Sequence, residues 1–143
     1  MEKERAENIG KYISFIYRKG GGFISKGLSD MGLGSGQLMF LLELYRADGK
    51  SQEDLCELLN IDKGTTARAI KKLEEESFVI RIKDEHDKRA YNIYLTEKAK
   101  ELKPSVFKVL DNWNDIITQG FEESEKELIL ELLKRICSNA SSK

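Results

Sequence analysis

The sequence is poor in the residues that build metal sites, disulfide frameworks and catalytic centres. It has two cysteines, Cys56 and Cys137, no CxxC pair, and a single histidine, His86. That inventory speaks against both a disulfide scaffold and a zinc site and leaves free, partly buried thiols as the plain reading. No stretch of about 18 apolar residues occurs, and the opening "MEKERAENIG" is charged without an apolar segment. Neither a membrane span nor a secretory leader is supported, so a cytoplasmic protein is expected. The three consecutive glycines of "RKGGGFIS" follow no strand and lack the GxxxxGK[ST] spacing of a nucleotide loop. With no nucleophile–base pair, metal cluster or phosphate loop, the chain offers no basis for an enzyme or for a cofactor. Charge of one sign is lacking too: 24 Lys and Arg stand against 25 Asp and Glu, a net charge of −1. Taken as an average, that would count against nucleic-acid binding, which relies on Lys and Arg neutralising phosphates. What matters is where the charges sit.

What is present is helical periodicity on a chain of 143 residues, enough for one core. Ile9, Tyr12, Ile13, Ile16 and Tyr17 form the stripe of an amphipathic first helix. After the Gly- and Ser-rich "SDMGLGSGQ", Ser35 is a candidate N-cap for a helix carrying Leu38 to Tyr45. "RADGKS" reads as a turn, and Ser51 with Asp54 starts a short helix, "SQEDLCELL". Asn60-Ile61-Asp62 interrupts it, and Asp62 caps a further helix, "KGTTARAIKKLEEES", expected to turn Ala67, Ile70 and Leu73 inward. "FVIRIK" and "AYNIYLT", joined by "DEHDKR", read as an antiparallel hairpin. A long helix from Thr96-Glu97, with a kink expected at Pro104, and a final helix after Gly120 complete the chain. The fold class is therefore mainly α with a small β-hairpin wing (α+β): a winged helix-turn-helix between terminal helices. Three regions follow: residues 1–34 and 101–143 for dimerisation, and 35–100 as the winged domain. The terminal helices are apolar on one side with no large sheet to cover, so they are expected to pack with each other and with a second copy of the chain.

Function concentrates between Lys63 and Lys72, where Lys63, Arg68, Lys71 and Lys72 occur with no acid. Thr65, Arg68 and Lys72 share one helical face with Lys71 beside it. Short hydroxyl side chains at the helix start, Thr65 and Thr66, suit base edges in a major groove, while the cations suit phosphates. Gly64 removes bulk where the helix tip would approach a DNA backbone. The hairpin tip adds Lys88 and Arg89, an arginine there suiting the narrow minor groove. Asp87 has the wrong sign for DNA and is expected to orient Arg89 by a charge-assisted hydrogen bond. His86 reads as an exposed loop residue.

The stretch "NIDKGTTARAIKKLEEESFVIRIKDEHDKRAYNIYLTEKAKEL" resembles the signature of the MarR family of winged-helix transcriptional regulators, with its D-K-S-T-x-T-R, D-x-R and L-T-x-K-G patterns. Gly32-Leu33 with Gln37 is similar to that family's entry into its second helix. The resemblance implies a homodimer that binds pseudo-palindromic double-stranded operator DNA through both recognition helices and both wings. By position it assigns Thr65, Thr66, Arg68 and Arg89 to DNA, and places Gln52 near the phosphate backbone. Gly64 stands where the family pattern has serine, Ala67 where it often has threonine, and Ala99 where it has glycine, so base preference does not carry over. Many family members respond, generally as repressors, to small aromatic acids or phenols between the dimerisation helices and the winged domain. Tyr12, Phe15, Arg18 and Lys19 could line such a site here, the cations answering a carboxylate, or could be core and surface residues.

Two other readings stay open: a winged-helix module for protein contacts without DNA binding, and a thiol redox sensor. The basic face speaks against the first. Against the second, the first helix has no cysteine and Cys56 falls with Leu55 and Leu59 on an apolar side, as a core thiol would. Gly20, Gly21 and Gly22 fall inside the expected first helix, either as a break or thin spot or as a close approach of backbones that widens a ligand crevice.

Overall fold

The computed structural model describes residue 5 and residues 7–142. Residues 1–4, 6 and 143, which belong to the terminal regions and partly to the N-terminal stretch read above, lie outside the described set. The order is α1 (Ile9–Leu28), a 3-10 turn (Ser29–Met31), α2 (Ser35–Arg46), α3 (Gln52–Leu59), α4 (Lys63–Glu75), β1 (Val79–Lys83), β2 (Tyr91–Leu95), α5 (Glu97–Ile117) and α6 (Glu123–Ser141). Two compact units result, Met1–Leu110 and Asp111–Lys143.

Local chemistry sets the boundaries. Asn8 caps α1 by accepting from the Lys11 N–H at 3.0 Å. α1 then runs unbroken through Gly20, Gly21 and Gly22, so the glycines do not break the helix. Ser35 is the first residue of α2 rather than its cap. The cap position is Gly34, whose N–H donates to Gln37 Oε1 at 2.8 Å, while the Ser35 N–H donates to Ser25 Oγ at 2.9 Å. Gln37 and Ser25 thus serve N–H groups that a helix start leaves without intrahelical partners. Ser51 and Asp54 form a full reciprocal cap at α3, at 3.0 and 3.4 Å. Asn60, at φ 51 and ψ 46, ends α3 in the left-handed region, which asparagine tolerates, and starts the tight turn into α4. α5 continues without interruption through Pro104.

The core of the first unit gathers Leu28, Phe40, Leu44, Leu55, Leu73 and Phe78, all at most 1 % exposed. α4 packs on α2 and α3 and leads directly into β1. β1 and β2 pair antiparallel with Val79 opposite Leu95 and Lys83 opposite Tyr91. On the other side of β2, the Ile93 N–H donates to Lys50 O at 2.8 Å and Ser51 bridges to Asn92, which fixes the hairpin to the start of α3. Tyr45 donates to Ala99 O at 2.6 Å and ties α2 to α5; burial pushes its phenol up to about 12.

In the unit Asp111–Lys143, Gly120 at φ 84 makes the turn between α5 and α6. Glu125 reaches back to accept from the Glu122 N–H at 3.0 Å, capping α6. No described residue of α6 is buried, although the helix carries Leu128, Ile129, Leu130, Leu132 and Leu133. No helix among the described residues is long and apolar enough to cross a membrane.

Candidate nucleic-acid interface

The inward side of α4 is Thr66, Ala69, Ile70 and Leu73, not Ala67, Ile70 and Leu73. These four follow i, i+3, i+4, i+7, a tight stripe at about 100° per residue, whereas steps of 67, 70 and 73 drift around the helix. Two expectations change together. Thr66 is 0 % exposed and cannot reach a base edge, so it leaves the groove-facing set; Ala67 is exposed. The outward ridge opposite the buried stripe is Gly64, Ala67, Arg68 and Lys71, with Lys63 and Thr65 exposed at the helix start.

A hydrogen-bonded chain organises that start. Asp62 accepts from the Thr65 N–H at 2.8 Å and from the Thr65 hydroxyl at 2.7 Å. Thr65 Oγ1 in turn accepts from Arg68 Nη2 at 3.1 Å. The Thr65 backbone and side-chain bonds, with the Arg68 charge behind them, hold the Asp62 carboxyl below its ordinary value. Thr65 therefore has both hydroxyl functions in use within the helix tip. Lys72 is half-buried and paired with Glu76 at 3.3 Å, which directs part of its charge into the protein. Lys71 and Arg68 make no ion pair among the described residues.

The wing is organised by a second carboxylate. Asp84 accepts from the backbone N–H groups of His86 at 2.8 Å and Asp87 at 3.1 Å, and from Asn92 Nδ2 at 3.1 Å; these bonds, in that order, hold its carboxyl below the ordinary range. Asp87 accepts from the Arg89 backbone N–H at 3.0 Å. The expected charge-assisted hydrogen bond between Asp87 and Arg89 is thus made to the Arg89 main chain, and the guanidinium forms no ion pair among the described residues. Lys88, Arg89 and His86 are all exposed.

Between α3, the start of α4 and the wing lies a cleft of about 350 Å³ lined by Ser51, Gln52, Glu53, Cys56, Lys63, Arg81, Asp87, Arg89, Ala90 and Tyr91. It brings together Gln52, Lys63 and Arg89, three residues singled out from the sequence. It adds Arg81, which the sequence reading missed. Arg81 donates to Glu74 Oε2 at 3.2 Å and lies 5.4 Å from the Tyr91 ring centroid, so it links α4 to both strands of the wing. The available signal was period two: Arg81 is two residues from buried Val79, on the side of β1 that faces the helices. Lys63, Arg81 and Arg89 line the cleft beside the carboxylates Glu53 and Asp87; Arg81 is already paired with Glu74, which leaves Lys63 and Arg89 as the lining cations with no ion pair among the described residues. Cys56 lines this cleft half-buried and is not part of the core cluster; Cys137 is exposed, and both thiols are free.

Tyr12, Phe15, Arg18 and Lys19 lie on α1, outside this cleft. Tyr12 and Phe15 are about half exposed, at 49 % and 54 %. Their polar contacts stay within the N-terminal segment: Tyr12 donates to Glu7, Arg18 donates to Ser14 at 2.5 Å, and Lys19 lies 5.8 Å from the Phe15 ring centroid. No group of three His, Cys, Asp or Glu among the described residues is placed to hold a metal ion.

Comparison with known proteins agrees with this geometry. The sequence model of the MarR family matches residues 33–91. The chain is 36% identical over 110 residues to the HTH-type transcriptional regulator YybA of Bacillus subtilis, covering 77% of this chain and 73% of that one. The chain belongs to the MarR family. Among solved structures, a MarR transcriptional regulator from Methanosarcina mazei Go1 superposes with a TM-score of 0.90 at 45% identity, covering 94% of this chain and 96% of that one. A MarR-family regulator from Listeria monocytogenes, solved in complex with a 26mer DNA, superposes with a TM-score of 0.88 at 27% identity, covering 95% and 91%. This MarR-family chain is a DNA-binding transcriptional regulator of winged-helix fold, in which α3 and α4 form the helix-turn-helix and the β1–β2 hairpin forms the wing.

Proposed function

We propose that this MarR-family regulator acts in the cytoplasm as a homodimer on pseudo-palindromic double-stranded operator DNA. In this reading residues 35–100 contact the DNA, and residues 1–34 and 101–143 join the two copies. The observation that carries it is the outward ridge of α4, which presents Arg68 and Lys71 without an intervening acid, beside a cleft where Lys63, Arg81 and Arg89 converge. α4 supplies base contacts in the major groove; the cleft and Gln52 follow the phosphate backbone; Lys88 and Arg89 extend to the neighbouring minor groove. A wing used only for protein contacts gives no reason for these cations to converge.

Selecting bound duplexes from a genomic pool and titrating the winner against salt tests this. Affinity for the selected operator should fall steeply, by orders of magnitude, between 50 and 200 mM salt. Arg89→Ala should weaken that binding about tenfold. A shallow salt dependence with no preferred sequence would refute the DNA reading. Repression relieved by an effector is tested in the same assay by adding small aromatic acids and phenols, with Arg18→Ala expected to abolish any release that occurs.

A further inference from the structure

The C-terminal end of α4, opposite Asp62, is held by the first residues of α5. A helix ends in carbonyls that have no intrahelical partner. Lys98 Nζ donates to Glu76 O at 2.6 Å, and Thr96 Oγ1 donates to Ser77 O at 2.6 Å and, less closely, to Phe78 O at 3.3 Å. Thr96 Oγ1 accepts in turn from the Ala99 N–H at 3.2 Å, so one hydroxyl ties the end of α4 to the first turn of α5. The Lys98 ammonium lies 5.0 Å from the centroid of the buried Phe78 ring and puts a cation at the negative end of the α4 dipole. Ser77, between these contacts, has φ 63, a left-handed backbone that is unfavourable for a residue with a side chain. Such a backbone persists where its surroundings over-determine it. Here the Ser77 N–H donates to Glu74 O while Thr96 holds the Ser77 carbonyl. The turn after α1 meets the same place: a Cβ built on Gly32 would overlap the Glu76 carboxylate, which pairs with Lys72. Thr96 and Lys98 are the threonine and lysine of the L-T-x-K-G pattern, for which the DNA contacts proposed above give no role.

We propose that Lys98 and Thr96 are positioning residues for operator binding: by fixing the C-terminal end of α4 to α5, they set the separation of the two copies of α4 in the dimer and so the half-site spacing that the protein accepts. The proposal rests on the homodimer and DNA-binding readings above. A dimer reads two half-sites at a spacing that its own geometry dictates. If α4 could swivel about its C-terminal end, each copy would follow a displaced half-site at little expense. The Lys98 and Thr96 bonds oppose that swivel, and α5 runs on from them into the region assigned to dimerisation. Neither side chain needs to touch DNA.

The test measures binding of the full-length protein to a selected operator, to the same operator with one base pair inserted or removed between half-sites, and to a single half-site. Each variant is studied where it is folded and dimeric. The wild type should bind the mis-spaced duplexes about a hundredfold more weakly than the operator. Lys98→Met keeps the stem over Phe78 but removes the donor and the charge. It should reduce the discrimination to about tenfold, with half-site affinity and salt slope unchanged. Lys98→Arg, which keeps donors, should restore most of the discrimination. Thr96→Val should act as Lys98→Met does, and Thr96→Ser, which keeps the hydroxyl, should rescue it. Unchanged discrimination in both Lys98→Met and Thr96→Val would reduce the two residues to local caps and overturn the assignment. So would an equal loss on all three duplexes with a shallower salt slope, since Lys98 would then be a phosphate contact. Wild-type binding indifferent to spacing would also overturn it, with DNA binding intact. Absence of any duplex binding by the wild type would remove both.

Discussion

Thr66 sits 0 % exposed on the inner stripe of α4, and its Oγ1 has no hydrogen-bond partner among the described residues. Burying a hydroxyl without a partner is unfavourable by about 1–3 kcal/mol on the scale of protein mutational data. Valine has the same branched shape without the hydroxyl, so Thr66→Val should leave stability unchanged or raise it by up to about 1–2 kcal/mol in urea unfolding. Operator affinity should not change. A variant that folds normally but loses operator binding would return Thr66 to the groove-facing set. Asp62 and Asp84 give a second prediction at this scale. Each carboxyl is held below its ordinary value of 3.8 by the N–H and side-chain donors that organise the helix tip and the wing tip. Their charged forms thus stabilise the fold at neutral pH. That contribution is complete above the unfolded value near 3.8 and disappears as pH falls through the lower folded values. Asp62→Asn and Asp84→Asn should each show a flatter loss of stability with acid than the wild type, measured as unfolding midpoint from pH 6 to pH 2. A parallel pH profile would contradict the assigned bonds.

At the scale of elements, the glycines of α1 divide by what surrounds them. A Cβ on Gly22 meets nothing within 4 Å, and one on Gly21 meets Ser35 Oγ at an ordinary 3.7 Å. A Cβ on Gly27 would come within 2.7 Å of Val109 Cγ1, a stiff branched side chain on α5. Gly27 is therefore the place where α1 needs a missing side chain to approach a neighbour. Gly22→Ala should stabilise the protein by about 0.5–1 kcal/mol through helix propensity alone. Gly27→Ala should destabilise it by about 1–3 kcal/mol, because the same gain is outweighed by overpacking against Val109. Equal effects of the two changes in thermal unfolding would show that this contact does not limit α1.

The same contrast explains what was legible in the sequence. Elements with their own punctuation, such as Ser51 and Asp54 at α3, Asp62 at α4 and Gly120 before α6, could be placed from local chemistry alone. The rotation of α4 was misjudged because Thr66 is polar and Ala67 apolar by type, while tertiary packing buries the first and exposes the second. The α2 cap shifted because Ser25, ten residues before Ser35, supplies the bond. The cations of the helix and wing tip could be read from the sequence. For Arg81 the only signal was its period-two spacing from Val79, and its partners Glu74 and Tyr91 come together only when the hairpin folds onto α4.

For the whole molecule, a net charge of −1 conceals segregation, with cations converging at α4 and the wing. Apolar surface is segregated as well. α1 exposes Ile9 at 64 % and Tyr17 at 80 %, and in the second unit Leu128, Ile129, Leu132 and Leu133 are each exposed by two fifths or more. Monomeric proteins rarely leave apolar surface of this extent open, and in the homodimer proposed above a second copy of the chain would cover it under two-fold symmetry. Folding and association are then linked by mass action, so the unfolding midpoint should rise with protein concentration. Ile129→Asp with Leu133→Asp places two charges on that face of α6 and should shift the protein toward monomer in sedimentation experiments. The second half-site contact is lost with the partner, so affinity for the full operator should fall by two orders of magnitude or more while affinity for a single half-site changes little. A double variant that remains dimeric at micromolar concentration, or a wild type whose midpoint is independent of concentration, would show that the exposed face of α6 is not what joins the two copies.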